Sequence, residues 1–178
     1  MSIPPKVFVS VGRVFTPEQE TFLAAFEKFM ADQGLAPQIV NRTVFSAGQP
    51  LKFIETLMSE CAGTVVLAFE RLYVREGQEK RGSEAEKPLQ DVKVPTVWNQ
   101  IEAAMAYVLK HPLLVIVEKG MRTDGLLETG YDWYVQTIEL DPARLNDREF
   151  VGIFSDWRAR VLAQRPAKPT KSKGKAKA

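Results

Sequence analysis

Two runs, Thr64-Val65-Val66-Leu67-Ala68-Phe69 and Leu113-Leu114-Val115-Ile116-Val117, carry no charge and no apolar–polar alternation. A strand with one face in water alternates; a strand buried on both faces reads as a continuous apolar run. Helices must then cover both faces of the sheet that holds these strands, which restricts the chain to α/β architectures with a largely parallel sheet.

The remaining elements fit that frame. Lys6 to Val11 reads as a strand ended by Gly12. Thr16-Pro17-Glu18-Gln19 opens a helix, with Thr16 as N-cap, Pro17 in the first turn and Gln19 closing a capping box. Phe22, Leu23, Phe26, Phe29 and Met30 form its apolar stripe, and Gly34 stops it. Pro37 to Arg42 reads as a short strand, and Pro50 to Cys61 as a second helix. Glu70 to Lys93 is mostly charged, with Gly77, Gly82, Ser83 and Pro88, and reads as a long loop that is either functional or mobile. A third helix runs from Pro95-Thr96 to about Leu109, with Ile101, Met105 and Val108 marking a face expected to pack on the sheet. Tyr134 to Leu140 reads as an edge strand, and Phe150 to Leu162 as a final amphipathic helix. The order predicts a flavodoxin-like three-layer sandwich with a mostly parallel five-stranded sheet, strand order 2-1-3-4-5.

At 178 residues, 45% apolar and 26% charged, the chain has the size and composition of one globular domain. Of its 24 basic residues, six lie between Arg165 and Ala178, where no acidic residue occurs. The other 18 face 22 acidic ones, so the body is acidic and the basic balance belongs to the end. Residues 1–164 are therefore expected to form the domain and 165–178 a disordered Lys-rich tail, its contact with nucleic acid or anionic surfaces weak at most. No apolar run approaches a membrane span and no signal peptide is recognisable, which predicts a cytoplasmic protein without a membrane partner. The single cysteine, Cys61, and the single histidine, His111, leave no cysteine-based zinc site and no two-histidine metal motif. No metal is expected. Cys61 reads as a small buried residue or a reactive thiol, and His111, just before Pro112, as a poorly placed catalytic base.

Such sheets bind ligands beyond the carboxyl ends of their strands, where the strand order reverses. That rule selects Gly12-Arg13 after the first strand and Phe69-Glu70-Arg71 after the third. Neither a dinucleotide-binding glycine fingerprint nor a P-loop is present. Arg13, Arg42 and Arg71 follow three strand ends, where forked guanidinium groups would suit phosphate; singly, each is equally a surface arginine. Gly12 would let a ligand approach the backbone.

The third helix carries the more specific signal, Trp98-Asn99-Gln100-Ile101-Glu102-Ala103-Ala104-Met105-Ala106-Tyr107. Glu102 lies four residues after Trp98, on the same side of the helix. A fixed carboxylate there suits ribosyl chemistry, because breaking a C1′–N bond builds positive charge on the sugar. Trp98 would supply a stacking wall, and Asn99 completes the candidate substrate-binding set. The plain alternative is that Glu102 is a solvated helix residue.

These segments, with Val7-Phe8-Val9-Ser10 and His111-Pro112-Leu113-Leu114-Val115-Ile116, resemble the superfamily that joins nucleoside 2-deoxyribosyltransferases to Toll/interleukin-1 receptor (TIR) and TIR-like enzymes of bacterial immunity. The resemblance spans about Lys6 to Leu140 and puts the family's catalytic glutamate on Glu102. Trp98 stands one residue further from that glutamate than in the TIR pattern, and Glu70 is a weak match for a second acidic site residue. The resemblance implies cleavage or transfer at the N-glycosidic bond of NAD or a related nucleotide, in antiviral defence, with NAD as substrate and no cofactor. It also implies assembly into a homo-oligomer. A nucleoside or nucleotide deoxyribosyltransferase or hydrolase, and a non-catalytic nucleotide-sensing module, are the alternatives.

Overall fold

A computed structural model of the chain describes residues 3–45 and 50–164. The tail expected from residue 165 onward lies outside the described residues. Five strands form one sheet in the order β2-β1-β3-β6-β7: β1 is Lys6–Val11, β2 Ala36–Gln38, β3 Thr64–Ala68, β6 Leu113–Glu118 and β7 Tyr134–Ile138. All four pairings are parallel, the edge strand β7 included. Four helices cover the sheet: α1 Pro17–Asp32, α2 Pro50–Ser59, α3 Val97–Val108 and α4 Arg148–Ala163. The fold is the flavodoxin-like sandwich that the unbroken runs demand.

Strand alternation sorts the core into two layers. Val7, Val9, Val65, Leu67, Leu114 and Ile116 meet Phe22 and Phe26 of α1 and Phe154 and Trp157 of α4. On the other face, Phe8, Val66, Ala68, Val115 and Val117 meet Ile54, Leu57 and Met58 of α2 and Ala103 and Ala106 of α3. No helix among the described residues is long and apolar enough to cross a membrane.

Two expectations are corrected. Residues 70–93 are not a loop: β4, Leu72–Glu79, and β5, Lys87–Val94, pair antiparallel as a separate hairpin. Both faces of this hairpin are largely exposed, so its sequence lacks the apolar alternation that marks a half-buried strand. Its base is held where Lys93 bridges Glu70 and Glu118 at 3.0 Å each, at the carboxyl ends of β3 and β6. Arg122 donates its backbone N–H to Lys93 O and its guanidinium to Glu79 at the far end of β4, so the hairpin arches back over the loop after β6.

The second correction concerns α3. Ile101 and Val108 do not pack on the sheet; both face outward. The sheet-facing side is Asn99, Glu102, Ala103 and Ala106. The small alanines let the helix lie close to the β-branched surface of β3 and β6, and Ser10 of β1 receives the polar pair. Smaller shifts affect the second strand, which ends at Gln38 where Pro37 to Arg42 was expected, because the Ile39–Val44 turn begins there with Thr43 Oγ1 accepting from Ile39 N.

Gly63, between α2 and β3, leaves no room for a side chain, since a Cβ would lie 2.7 Å from Val161 Cγ2 and 3.3 Å from Pro112 O. Gly63→Ala is expected to lower unfolding free energy by about 1–3 kcal/mol, as overpacked cores do. Adding Val161→Ala to it should be less harmful than the two separate losses sum to, as read by urea denaturation; strict additivity would contradict this packing.

Candidate active site

Ser10 is the one buried polar side chain of β1, two residues after Phe8 on the same face and so in the α2/α3 layer. It is fully buried near the carboxyl end of the strand. Thr96 caps α3 by accepting from Trp98 N, and its methyl occupies the space above Gly12, 3.3 Å from where a Cβ would be. Gly12 thus allows the chain after β1 to pass the start of α3. One turn into the helix, Asn99 is fully buried. Its Nδ2 donates to Ser10 Oγ at 3.0 Å, with Ser10 O and Leu67 O at 3.4 Å. Those carbonyls fix the amide's orientation, because the flipped amide would set oxygen against oxygen. Among the described residues Asn99 Oδ1 is left buried with no hydrogen-bond partner, and an acceptor in that state costs about 1–3 kcal/mol.

Glu102 lies a further turn along, 7% exposed. Burial pushes its carboxyl up to about 7, against which the Ser10 hydroxyl hydrogen bond pulls downward. Asn99 donates to Ser10, and the Ser10 hydroxyl acts to lower the pKa of Glu102, which is the effect of a donor on a carboxylate. Among the described residues no cation pairs with Glu102. The solvated reading of Glu102 is therefore excluded by its position. Gln100 fixes the helix from the side, donating to Asp124 O at 2.7 Å and accepting from Leu126 N at 3.1 Å.

Phe69, Arg42 and Glu70 are engaged elsewhere. Phe69 packs edge-on against Phe22 of α1, in the opposite layer of the sandwich. Arg42 is held on α1 by Glu20 at 2.8 Å and Glu27 at 2.6 Å. Arg13 and Arg71 are exposed and bind no acid among the described residues, whereas Arg42 is taken up by its two glutamates. Trp98 stands at the rim of the buried face, 40% exposed. Glu70 is bound to Lys93 rather than aimed at Glu102.

His111 and Cys61 lie away from the cluster. His111 sits at the amino end of β6, its Nδ1 2.9 Å from Thr64 Oγ1, and burial lowers its pKa to about 4, leaving it neutral. The buried Cys61 thiol is pushed up to about 12 and is inert. Ser10 was not singled out from sequence as a site residue, although a lone polar residue within Val7-Phe8-Val9-Ser10-Val11 is the signal that marks it. Among the described residues no cluster of three His, Cys, Asp or Glu could hold a metal.

Among the described residues, Glu102 lines none of three surface cavities of 530–580 Å³. The one beyond β3 and β6 is walled by Glu18, Glu70, Glu118, Glu139 and Asp141 against Lys93 and Lys119. That excess of acids is unsuited to phosphate.

No protein-family model matches the chain. No curated protein matches it either. Among solved structures it is similar to a CMP N-glycosidase of Clostridium botulinum, with 11% identity and a TM-score of 0.46 over 78% of this chain and 91% of that one. A likeness so distant says nothing of substrate or site. The kinship with deoxyribosyltransferases and TIR enzymes stays a resemblance of short segments.

The raised carboxyl has a consequence for stability. In the unfolded chain a glutamate ionises near 4.5; in the fold Glu102 ionises near 7. Between those values the folded state keeps a proton that the unfolded state has released, so stability falls as pH rises through the window. Glu102→Gln should match the natural chain at pH 4 and exceed it by about 3 kcal/mol at pH 8. Urea denaturation of both chains at the two pH values checks this; an equal difference at both would contradict it.

Proposed function

We propose that the chain is an enzyme that cleaves or transfers at the N-glycosidic bond of a nucleotide, with Glu102 as the catalytic carboxylate. The observation that carries the reading is a buried carboxyl with a raised pKa and no cationic partner among the described residues, borne by a helix at the carboxyl ends of β1 and β3. A carboxylate desolvated in this way is destabilised until a positive charge comes beside it. When the C1′–N bond breaks, its electron pair leaves with the base and the sugar becomes cationic. The interaction is then stronger in the transition state than in the ground state, which is the condition for catalysis.

Glu102 acts on that cation either by electrostatics or by forming a C1′–O bond, which water or a second acceptor then displaces. Ser10 orients the carboxylate through its hydroxyl, and Asn99 orients Ser10. The unpartnered Asn99 Oδ1 and the carboxylate together offer acceptors for ribose hydroxyls. Because Glu102 is 7% exposed, substrate entry requires the chain around α3 to open.

NAD is the substrate this site suits best. The cluster holds one carboxyl and no second acid among the described residues that touch it. A pyridinium base leaves as a neutral molecule and needs no proton, whereas a pyrimidine or purine needs an acid. Consumption of NAD in antiviral defence, as the sequence resemblance implies, is the role proposed for that activity. Residues 1–164 are proposed as the catalytic unit.

Incubation with NAD and with the nucleoside monophosphates, followed by chromatography of the released base, tests the reading. Nicotinamide release is expected, with kcat/KM rising with pH through about 7 as Glu102 ionises. Glu102→Gln should lose at least about 100-fold in kcat, and Ser10→Ala should lower kcat while shifting the pH profile upward. Absence of base release from every nucleotide would overturn the enzymatic reading; full activity in Glu102→Gln would remove Glu102 from it.

A further inference from the structure

The chain at the end of α3 adopts a backbone that its residue does not favour. Lys110 N–H donates to Tyr107 O and His111 N–H to Ala106 O, both at 3.0 Å. These are the paired bonds of a helix closed by a left-handed residue. That residue is Lys110, with φ 57°, where glycine is the usual occupant because it has no Cβ to crowd the backbone. A cation does suit the end of a helix, but the preceding turn would offer the same field without the left-handed backbone. Costly backbone beneath an open side chain points to a role for that side chain. Lys110 pairs with no acid among the described residues. It lines a cavity of about 550 Å³ at the amino end of β6, the opposite edge of the parallel sheet from Ser10.

The rest of the wall is aromatic, formed by Tyr107, Trp133, Tyr134 and Trp157. Both indole N–H groups are already satisfied, Trp157 by Pro112 O at 3.0 Å and Trp133 by Leu126 O at 3.1 Å, so the tryptophans offer the cavity carbon surface. Arg160 is the second cation, lying over the Tyr134 ring at 5.0 Å with Asp156 on one side of it. Asp132 is the one acid among the described lining residues, and His111, its pKa lowered to about 4 by burial, adds no charge. We propose that this cavity binds a small molecule in which a flat aromatic ring carries an anionic group, the ring against the half-open Tyr107 and the anion at Lys110. Size agrees, since sites for such ligands are roughly 300–1,000 Å³. So does the pairing of ring and charge. Aromatic walls stack flat rings, and a free ammonium binds phosphate or carboxylate as a point charge. The site is separate from Glu102 and does not rest on the glycosidic reading.

Isothermal titration calorimetry of the full chain tests the proposal with two probes, AMP for a phosphate-bearing ring and indoleacetate for a carboxylate-bearing one. Saturable binding of at least one is expected, about tenfold or more tighter than that of its uncharged counterpart, adenosine or indole; the probe that binds identifies the anion. Lys110→Gly should weaken that binding about tenfold or more while the melting temperature holds or rises, because glycine takes the left-handed backbone freely. Lys110→Arg, which keeps the charge, should retain the binding. Glu102→Gln should leave it unchanged, which separates this cavity from the proposed catalytic carboxyl. No binding of either probe at millimolar concentration would overturn the proposal, as would equal binding of the uncharged rings. So would binding that survives Lys110→Gly, or that is lost in Lys110→Arg or in Glu102→Gln.

Discussion

The carboxyl of Glu102 sits in an apolar layer between a helix and a parallel sheet, and the features around it follow from that placement. An ionised carboxylate is poorly tolerated there, so the group is met by the Ser10 hydroxyl and its ionisation moves to about 7. Ser10 in turn needs a donor, which Asn99 provides. The helix must lie close for these contacts to form, which accounts for Ala103 and Ala106 on the same side. Turning that side inward leaves Val97, Ile101 and Val108 in water. One buried polar cluster thus gives α3 both its catalytic candidate and its uncovered outer surface.

The sheet separates these roles by alternation. Residues one apart on a strand face opposite layers, and this decides which candidates near the strand ends share a site. Ser10 faces α3. Phe69, just past β3, faces α1 instead and joins Phe22 in the larger core. Arg42 belongs to the surface of α1 through its two glutamates. Proximity to the ligand edge of the sheet was therefore a necessary condition for membership of the site, and layer was the deciding one.

Much of the fold was legible because burial leaves a strong pattern. The runs at Thr64–Phe69 and Leu113–Val117 fixed the central strands, and Thr16-Pro17 fixed the start of α1. The hairpin at 72–94 was not legible, because neither of its faces is buried and no apolar alternation results. The orientation of α3 was misread for a related reason. Hydrophobicity pointed to Ile101, Met105 and Val108 as the inner face, yet close packing on a β-branched surface favours alanine, and a polar pair can be buried when its partner is on the strand. That partner, Ser10, becomes visible only once strand and helix are placed together.

The central claim is that a ribose meets Glu102. A crystal structure of the Glu102→Gln variant with bound NAD tests it most directly. The account predicts the ribose C1′ of the nicotinamide half about 3–3.5 Å from the residue-102 side chain, with a sugar hydroxyl donating to Asn99 Oδ1. A nucleotide held elsewhere, such as the cavity at Glu70 and Lys93, with its ribose away from α3, would contradict it.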